Sequence, residues 1–166
     1  MSDPSSQDRL FPSLLDRLTD DAPQRKSEPR EVRVFSVSKL RQAVLRDLGW
    51  LLNTCYLAVT EDLESYPEVA SSVLNYGIPD LTGKTLSGMD VFDLEQSLRQ
   101  CLIDFEPRIL ADTLEVRGLI LGDDISAQNL LTFEIEGDLW ANPIPERLFL
   151  RTELDLETGN VTIEEV

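Results

Sequence analysis

The spacing of the apolar residues changes near Arg108, and this change constrains the possible folds more than any other feature of the sequence. Upstream, apolar residues recur every three or four positions, as at Leu40, Val44 and Leu48. Downstream, they alternate with polar residues, as in 131–136. The first spacing is typical of a helix with one buried face, and the second of a strand with one buried face. Helices followed by strands predict an α+β fold, in which N-terminal helices pack on one face of a C-terminal, mainly antiparallel sheet that ends in a hairpin.

The same patterns divide the chain into two regions. Residues 1–35 contain Pro23, Pro29 and many charges, so we expect a flexible arm with one short amphipathic helix near 10–18. Residues 36–166 are expected to form a single domain. In that domain we predict helices at about 38–58, 67–76 and 91–105, and strands at about 112–121, 129–138, 147–157 and 160–165.

The helical spacing also assigns positions to individual residues. Asp90 is suited to the N-cap of the third helix of the domain. In the second helix, Val73 lies on the stripe that should face inward. Cys55 and Cys101 both fall on apolar helical faces. We therefore expect two buried free thiols in a reducing compartment.

The C-terminal hairpin is predicted to turn at 158–159, with a two-residue loop. Such a turn pairs Leu156 with Val161. The next pair is then Leu154 with Ile163, so both arms place apolar side chains on one face, while the other face is acidic and solvated. Two interpretations of the outer edge remain open. It is either an ordinary sheet edge protected by charge or a free edge to which another chain adds a strand.

The charge balance and the absence of histidine exclude several classes of function. The chain has 31 acidic and 15 basic residues, a formal net charge of −16, and no histidine. So acidic a surface repels phosphate, so we expect neither general nucleic-acid binding nor docking on anionic lipid. Without histidine there is no Ser-His-Asp or Cys-His triad and no His-rich zinc site. The sequence has no apolar run of signal-peptide or membrane-spanning length, so we expect a cytoplasmic protein.

Two motifs are comparable with known ligand sites, and neither matches. Residues 77–85 contain glycines in the wrong spacing for a phosphate-binding loop, and Pro79 has no N–H to offer a phosphate. The acidic pair at 123–124 lacks the further oxygen ligands of a calcium loop and is more typical of a turn. We therefore expect no cofactor, no metal and no catalytic centre.

Glu106, Pro107 and Arg108 stand where the third helix should end and the sheet should begin. The helix ends there because the residue before a proline is pushed out of the helical region. Two interpretations remain open: a helix end flanked by two solvated charges, or a rigid ion pair that is either internal or offered to a partner. The same tripeptide occurs at 28–30, so only structural context separates the two copies.

Several short segments occur together in one order along the chain. They are Leu-Leu-Asn-Thr at 51–54, Tyr-Pro-Glu-Val at 66–69, Phe-Glu-Pro-Arg-Ile at 105–109 and Phe-Glu-Ile-Glu-Gly at 133–137. With 10–18, 72–81 and the Leu-Trp pair at 139–140, they resemble the TssE family of baseplate subunits of the bacterial type VI secretion system. That family is similar to a small baseplate wedge protein of contractile-tailed phages. One departure is Cys55, where the family pattern leads us to expect an arginine.

The resemblance implies a non-enzymatic structural role, although the family carries a "lysozyme-like" label. It implies a place in the baseplate wedge beside TssF- and TssG-like subunits. Such a baseplate lies in the cytoplasm, docked at the inner membrane, without direct insertion into it. Two alternatives remain. One is a peptidoglycan-hydrolase-like enzyme, which needs a carboxylic acid of raised pKa facing a second carboxylate; the other is the equivalent scaffold of a phage tail.

The resemblance also implies which residues bind partners. Such proteins carry a sheath-like pair of strands, whose edge takes up strands from the first ring of TssB- and TssC-like sheath subunits. These strands correspond to 148–157 and 160–166, and the implied contact residues are Leu150, Thr152, Leu154, Leu156, Val161 and Ile163. The assembly motif of the family corresponds to Glu106, Pro107 and Arg108. We expect Arg108→Glu to leave folding intact while it abolishes assembly.

Overall fold

Helices precede an antiparallel sheet along the chain, which confirms the α+β prediction. The computed structural model describes residues 13–19, 23–24, 36–83, 90–119, 130–141 and 144–166. The start of the helix predicted at 10–18, the Glu-Pro-Arg copy at 28–30 and the turn predicted at 123–124 lie outside these residues.

Four α-helices precede the sheet in the part of the chain that the structure describes. They are α1 Leu14–Leu18, α2 Val37–Leu52, α3 Pro67–Ala70 and α4 Val91–Phe105, with short 3₁₀ helices at Leu57–Val59 and Val73–Asn75. The side chain of Ser36 caps α2 by accepting from the Lys39 N–H. Asp90 caps α4 by accepting from the Phe92 N–H, so the predicted N-cap is confirmed.

The sheet is a simple meander in which each strand pairs with the next. Its strands are β1 Glu115–Leu119, β2 Leu130–Leu139, β3 Glu146–Asp155 and β4 Val161–Glu165, in the order β1-β2-β3-β4. Each strand lies within its predicted range or within one residue of it. All three pairings are antiparallel.

The core lies between the helices and one face of the sheet. Val44 and Leu48 of α2 and Leu102 of α4 belong to the same buried cluster as Phe133 of β2 and Leu150 of β3. Along β3, buried residues alternate with more exposed ones. The opposite face carries charged side chains that form cross-strand ion pairs. The sheet therefore has one dry face and one charged face, as the alternation predicts.

The first long helix is shorter than the predicted 38–58, because side chains end it. Asn53 Nδ2 donates to Gly49 O (2.8 Å), and Thr54 Oγ1 donates to Trp50 O (2.7 Å). These bonds satisfy carbonyls that another helical turn would otherwise occupy. The apolar stripe continues past this point, but the helix does not.

The two cysteines differ in their surroundings. After α2 the chain forms an isolated parallel bridge between Cys55 and Ile78, and Cys55 is exposed, so its predicted burial is wrong. Cys101 is buried, as predicted, and its Sγ donates to Gly77 O (3.1 Å). Burial raises the pKa of the Cys101 thiol to about 12.

The helix predicted at 67–76 is two short pieces instead. The hydroxyl of Ser72 accepts from the Leu74 N–H and starts a 3₁₀ helix there. The buried Asn75 side chain donates to the end of α3 and accepts from the other 3₁₀ helix. Val73 is therefore 80% exposed, so the prediction that it faces inward is wrong. Local side-chain bonds to the backbone override the apolar spacing here.

The register of the β3–β4 hairpin differs from the prediction by two residues. Leu154 lies opposite Val161, and Thr152 lies opposite Ile163. The predicted pairing of Leu154 with Ile163 is therefore wrong. Because the side-chain period of a strand is about two, a shift of two residues keeps each side chain on its predicted face.

A longer loop causes the change in register. The Asp155 N–H donates to Asn160 O (3.0 Å), so residues 156–159 form the loop. The Asp155 carboxylate accepts from the backbone N–H groups of Glu157 and Thr158. These bonds stabilise the loop and lower the pKa of Asp155. An aspartate that accepts such bonds favours a turn that begins at its own position.

Candidate functional site

Glu106, Pro107 and Arg108 join the last helix to the sheet, at the predicted position. The Glu106 N–H still donates to Leu102 O (2.9 Å), as the final bond of α4. The Trp140 N–H donates to Arg108 O (2.7 Å), which ties the segment to the end of β2. The proline thus stands between the last helical bond and the first bond to the sheet.

The charges of this motif form an internal ion pair. Glu106 is only 2% exposed. Arg108 Nε donates to Glu106 Oε1 (2.6 Å), Arg108 Nη2 donates to Oε2, and the Arg108 backbone N–H donates to Oε1 (3.1 Å). A buried carboxylate is costly unless it is paired and hydrogen-bonded, and this one is both. Of the two interpretations of the motif, the rigid ion pair is the observed one, and it is internal.

A residue of α2 completes this network. Arg108 Nη2 also donates to Asp47 Oδ2 (2.7 Å). We call Asp47, Glu106 and Arg108 the ionic joint, because they connect α2 to the end of α4. Burial lowers the pKa of Arg108, but the bonds and charges of Glu106 and Asp47 raise it by more, so that it lies above its ordinary value. Arg108 therefore stays charged.

Arg46, which precedes Asp47 in α2, attaches α1 to this helix. Arg46 Nη1 donates to Asp16 Oδ1 (2.6 Å), and its guanidinium lies 5.1 Å from the centre of the Trp50 ring. Ser13 Oγ donates to Asp16 Oδ2 (2.6 Å). Burial raises the pKa of Asp16, but the bonds from Arg46 and Ser13 lower it by more, so that the net change is downward.

A groove of about 390 Å³ opens beside the ionic joint. Its walls include Leu40 of α2, Ser13 before α1, and Phe105 and Pro107. Phe105 is half-buried and meets the Tyr76 ring edge-on at 5.4 Å, whereas Pro107 is exposed. The groove therefore presents a partly apolar surface on a rigid base, which suits a protein partner.

The predicted contact residues of the segment 148–157 lie inside the protein. Leu150, Thr152 and Leu154 of β3 and Leu156 of the hairpin loop are all buried. β3 lies between β2 and β4, so its backbone groups are already paired on both sides. Thr152 Oγ1 donates to Phe133 O (3.3 Å). In this arrangement the four side chains pack inside the protein, and their role in partner binding stays a prediction.

The predicted contact residues of β4 lie at the edge of the sheet. Val161 and Ile163 are half-buried and pack against the core. Among the described residues, β3 is the only strand that pairs with β4. The ladder alternates: the Val166 N–H donates to Phe149 O (3.1 Å), so even-numbered residues direct their backbone groups toward β3. The residues whose backbone groups point to the outer edge are then Val161, Ile163 and Glu165.

Three polar residues that contribute to the ionic joint or contact the edge strand β4 were not identified from the sequence. Asp47 belongs to the ionic joint. Arg41 donates to the carboxylate of Glu165, and Asn53 bonds the backbone of Val161. All three lie off the apolar stripe of the first long helix, where polar residues are typical of a solvated face. Of the three, only Asn53 could have been singled out from the local sequence, because asparagine is common at helix ends.

The ionic joint and the hairpin edge are separate sites that share one support. α2 contacts the joint through Asp47 and the edge strand through Arg41 and Asn53. In the residues that the structure describes, no cluster of cysteine or acidic side chains is suited to a metal ion. None of the described helices is long and apolar enough to cross a membrane.

Comparison with known proteins assigns first a class and then a family. The family model of baseplate wedge protein gp25 matches residues 38–144, and this family consists of structural proteins of phage-tail-like baseplates. The match covers more than half of the chain, so the chain belongs to this family. The family includes TssE, which confirms the resemblance found in the sequence. No curated protein and no solved structure is significantly similar to the chain.

The match covers the two sites unequally. It includes the whole ionic joint together with α4, β1, β2 and all of α2 except Val37. It ends at residue 144, before β3 and β4 begin. The family match therefore includes the ionic joint but not the hairpin edge.

Proposed function

We propose that this protein is a non-enzymatic subunit of a type VI secretion baseplate that docks at the inner membrane from the cytoplasm. It binds wedge subunits similar to TssF and TssG. It then starts polymerisation of a sheath of TssB- and TssC-like subunits by accepting a strand at the edge of β4.

The observation that carries this proposal is the outer edge of β4 on a chain of the baseplate family. Strand addition gains affinity from main-chain hydrogen bonds, and it requires an edge whose N–H and C=O groups face outward. Ile163 and Glu165 offer such groups, and among the described residues none bonds to their outer side. An edge of this kind favours pairing with another chain unless charge or cover protects it.

The charge of the hairpin favours a basic partner. Glu153 of β3 and Glu164 of β4 are exposed on the solvated side of the hairpin. The whole chain carries a formal net charge of −16. Complementary charge raises the rate of association and rejects acidic partners more than it adds affinity. We therefore expect lysine or arginine beside the added strand.

The groove beside the ionic joint supports the proposed contact with the wedge. Apart from Ser13, its lining residues lie within the region that matches the family, and its base is fixed by the joint. Pro107 is exposed on its wall, so a charge placed there changes the surface while Glu106 and Arg108 keep their bonds. Pro107→Glu is therefore a more selective probe of this surface than a change of Arg108.

The wedge contact is tested by co-expression with TssF- and TssG-like subunits, followed by size-exclusion chromatography. We expect the wild-type chain to elute with both, and Pro107→Glu to elute separately with an unchanged unfolding midpoint. A folded wild-type chain that elutes alone would contradict the proposed role in the wedge.

The strand-addition step is tested with Ile163→Pro. Proline removes the Ile163 N–H, which points away from β3, so the internal ladder is kept while the outer edge loses a donor. The matched control is Ile163→Ala, which loses more side-chain packing but keeps the N–H. We expect Ile163→Pro to block sheath formation, seen by electron microscopy, while wedge binding persists and Ile163→Ala still assembles. Normal sheaths from Ile163→Pro would count against strand addition at β4, and equal failure of both variants would point to lost packing.

A further inference from the structure

The outer edge of β4 is already occupied at one position. Val161, like Ile163 and Glu165, directs its backbone groups away from β3. The Val161 N–H donates to Asn53 Oδ1 (2.9 Å), and Asn53 Nδ2 donates to Val161 O (2.9 Å). One side-chain amide thus satisfies both outward groups of Val161, as a residue of a neighbouring strand would.

The position of this amide is fixed by a further bond of its own and by the backbone that follows it. Asn53 Nδ2 also donates to Gly49 O (2.8 Å), which holds the side chain against the end of α2. The backbone that follows is held by the Ile78 N–H, which donates to Thr54 O (2.8 Å). Gly77 has a φ of 127°, and a Cβ there would lie 2.2 Å from Thr54 O, so this close approach requires glycine. The amide is therefore part of the folded framework.

We propose that Asn53 sets the register of strand addition at β4 by blocking the Val161 position, so that an incoming strand pairs only with Ile163 and Glu165. This inference rests on the proposed function, because it specifies how the same edge is used. A strand that advanced one pair further would have to displace the Asn53 amide from Val161 and from Gly49. The block thus converts a uniform edge, along which a strand can slip, into an edge with a defined end.

The structure also indicates which strand fits. The open part of the edge is short, and Glu164 extends from it on the solvated face. The Glu165 carboxylate is already engaged, because Arg41 donates to it and to Glu146 Oε1 (2.8 Å). Glu164 therefore provides the charge that an incoming strand meets. We infer a short strand from a sheath subunit, with a basic side chain opposite Glu164.

The test is amide hydrogen exchange of the wild-type chain and of Asn53→Ala, read residue by residue by quenched-exchange NMR. In the free wild-type chain we expect the Val161 amide to exchange at least about tenfold more slowly than the Ile163 and Glu165 amides. In free Asn53→Ala the Val161 amide should exchange as fast as that of Ile163. The matched control is Thr54→Ala, which loses only a bond to Trp50 O at the helix end and should keep Val161 protected.

The same three chains are then measured in complex with the TssB- and TssC-like subunits. In the wild-type complex we expect new protection at Ile163 and Glu165 and an unchanged Val161. In the Asn53→Ala complex, protection should extend to Val161. Identical protection patterns in the wild-type and Asn53→Ala complexes would overturn the register role and leave strand addition standing. No protection at Ile163 or Glu165 in any complex would overturn strand addition, and the register role with it.

Discussion

The ionic joint and the β4 edge differ in where their polar groups are directed. In the joint, the buried Glu106 carboxylate accepts from both the side chain and the backbone of Arg108. At the edge, Ile163 and Glu165 direct their backbone groups away from the protein. Polar groups that are satisfied internally stabilise a fold, whereas outward groups are available to another chain. The comparison teaches that the charged side chains of the joint hold the fold together, while the uncharged backbone of the edge keeps its hydrogen-bonding groups available.

α2 and its C-cap connect these two regions, because Asp47 of α2 belongs to the joint and the C-cap Asn53 occupies the first outward position of β4. A change that disturbs α2 therefore affects both. Substitutions that act on one region at a time distinguish the two regions, and their expected effects differ in size.

The largest effect is expected from Arg108→Glu. It places a third carboxylate beside Glu106 and Asp47 and leaves a buried charge unpaired, which costs about 3–5 kcal/mol of folding free energy. The structure therefore argues against the sequence-based expectation that this variant leaves folding intact. Urea denaturation measures the change, and an unchanged midpoint would contradict the internal role of the pair.

The second Glu-Pro-Arg copy supplies the control. Arg30→Glu makes the same chemical change at 28–30, outside the ionic joint. We expect its free energy of unfolding to stay within about 0.5 kcal/mol of the wild-type value. A loss of assembly in Arg108→Glu is evidence for an interface only at temperatures where that variant is folded.

An intermediate effect is expected from Gly77→Ala. A Cβ would collide with Thr54 O, and a φ of 127° is strained for any residue with a side chain. We expect a loss of about 1–3 kcal/mol, together with faster exchange of the Val161 amide as Asn53 shifts. Circular dichroism in urea and amide exchange measure the two parts. Stability loss with normal protection of Val161 would show that the edge does not depend on this close approach.

A glycine in α2 provides the matched control. At Gly49 a Cβ would meet nothing within 4 Å, and the position is inside a helix. Gly49→Ala should therefore stabilise the protein by about 0.5–1 kcal/mol without changing the β4 edge. The two glycines thus test whether strain or only flexibility matters at each position.

The sequence predicted most of the fold but only part of each site. The change of period near Arg108 predicted the α+β class and all four strands, because apolar burial dominates both kinds of element. It could not predict the hairpin loop, where the Asp155 carboxylate selects a longer turn. The spacing also could not show that Asp47 pairs with Arg108, because a polar residue outside an apolar stripe is expected to face solvent. Contacts between residues distant in sequence become visible only when the fold brings them together.

The smallest effect is expected at the attachment of α1. The pKa of Asp16 is lowered in the folded state. Its pairing with Arg46 therefore stabilises the fold at pH values above the ordinary aspartate pKa. This stabilisation is lost as the pH falls through the lowered pKa. For a pair at the surface this contribution is about 0.3–1 kcal/mol. We expect the α1 amides to shift toward unfolded positions in NMR spectra below the ordinary aspartate pKa of 3.8, while Arg108 keeps its charge.

Asp16→Asn should reproduce the low-pH state at neutral pH. Trypsin cleavage after Arg17 should then rise about two- to fivefold, which corresponds to the same small free energy. Asp112→Asn, an exposed aspartate before β1, should leave cleavage unchanged. Equal cleavage in the wild type and Asp16→Asn would show that the ion pair does not hold α1. Because the joint and the β4 edge should behave as in the wild type, this variant separates the attachment of the N-terminal helix from both sites.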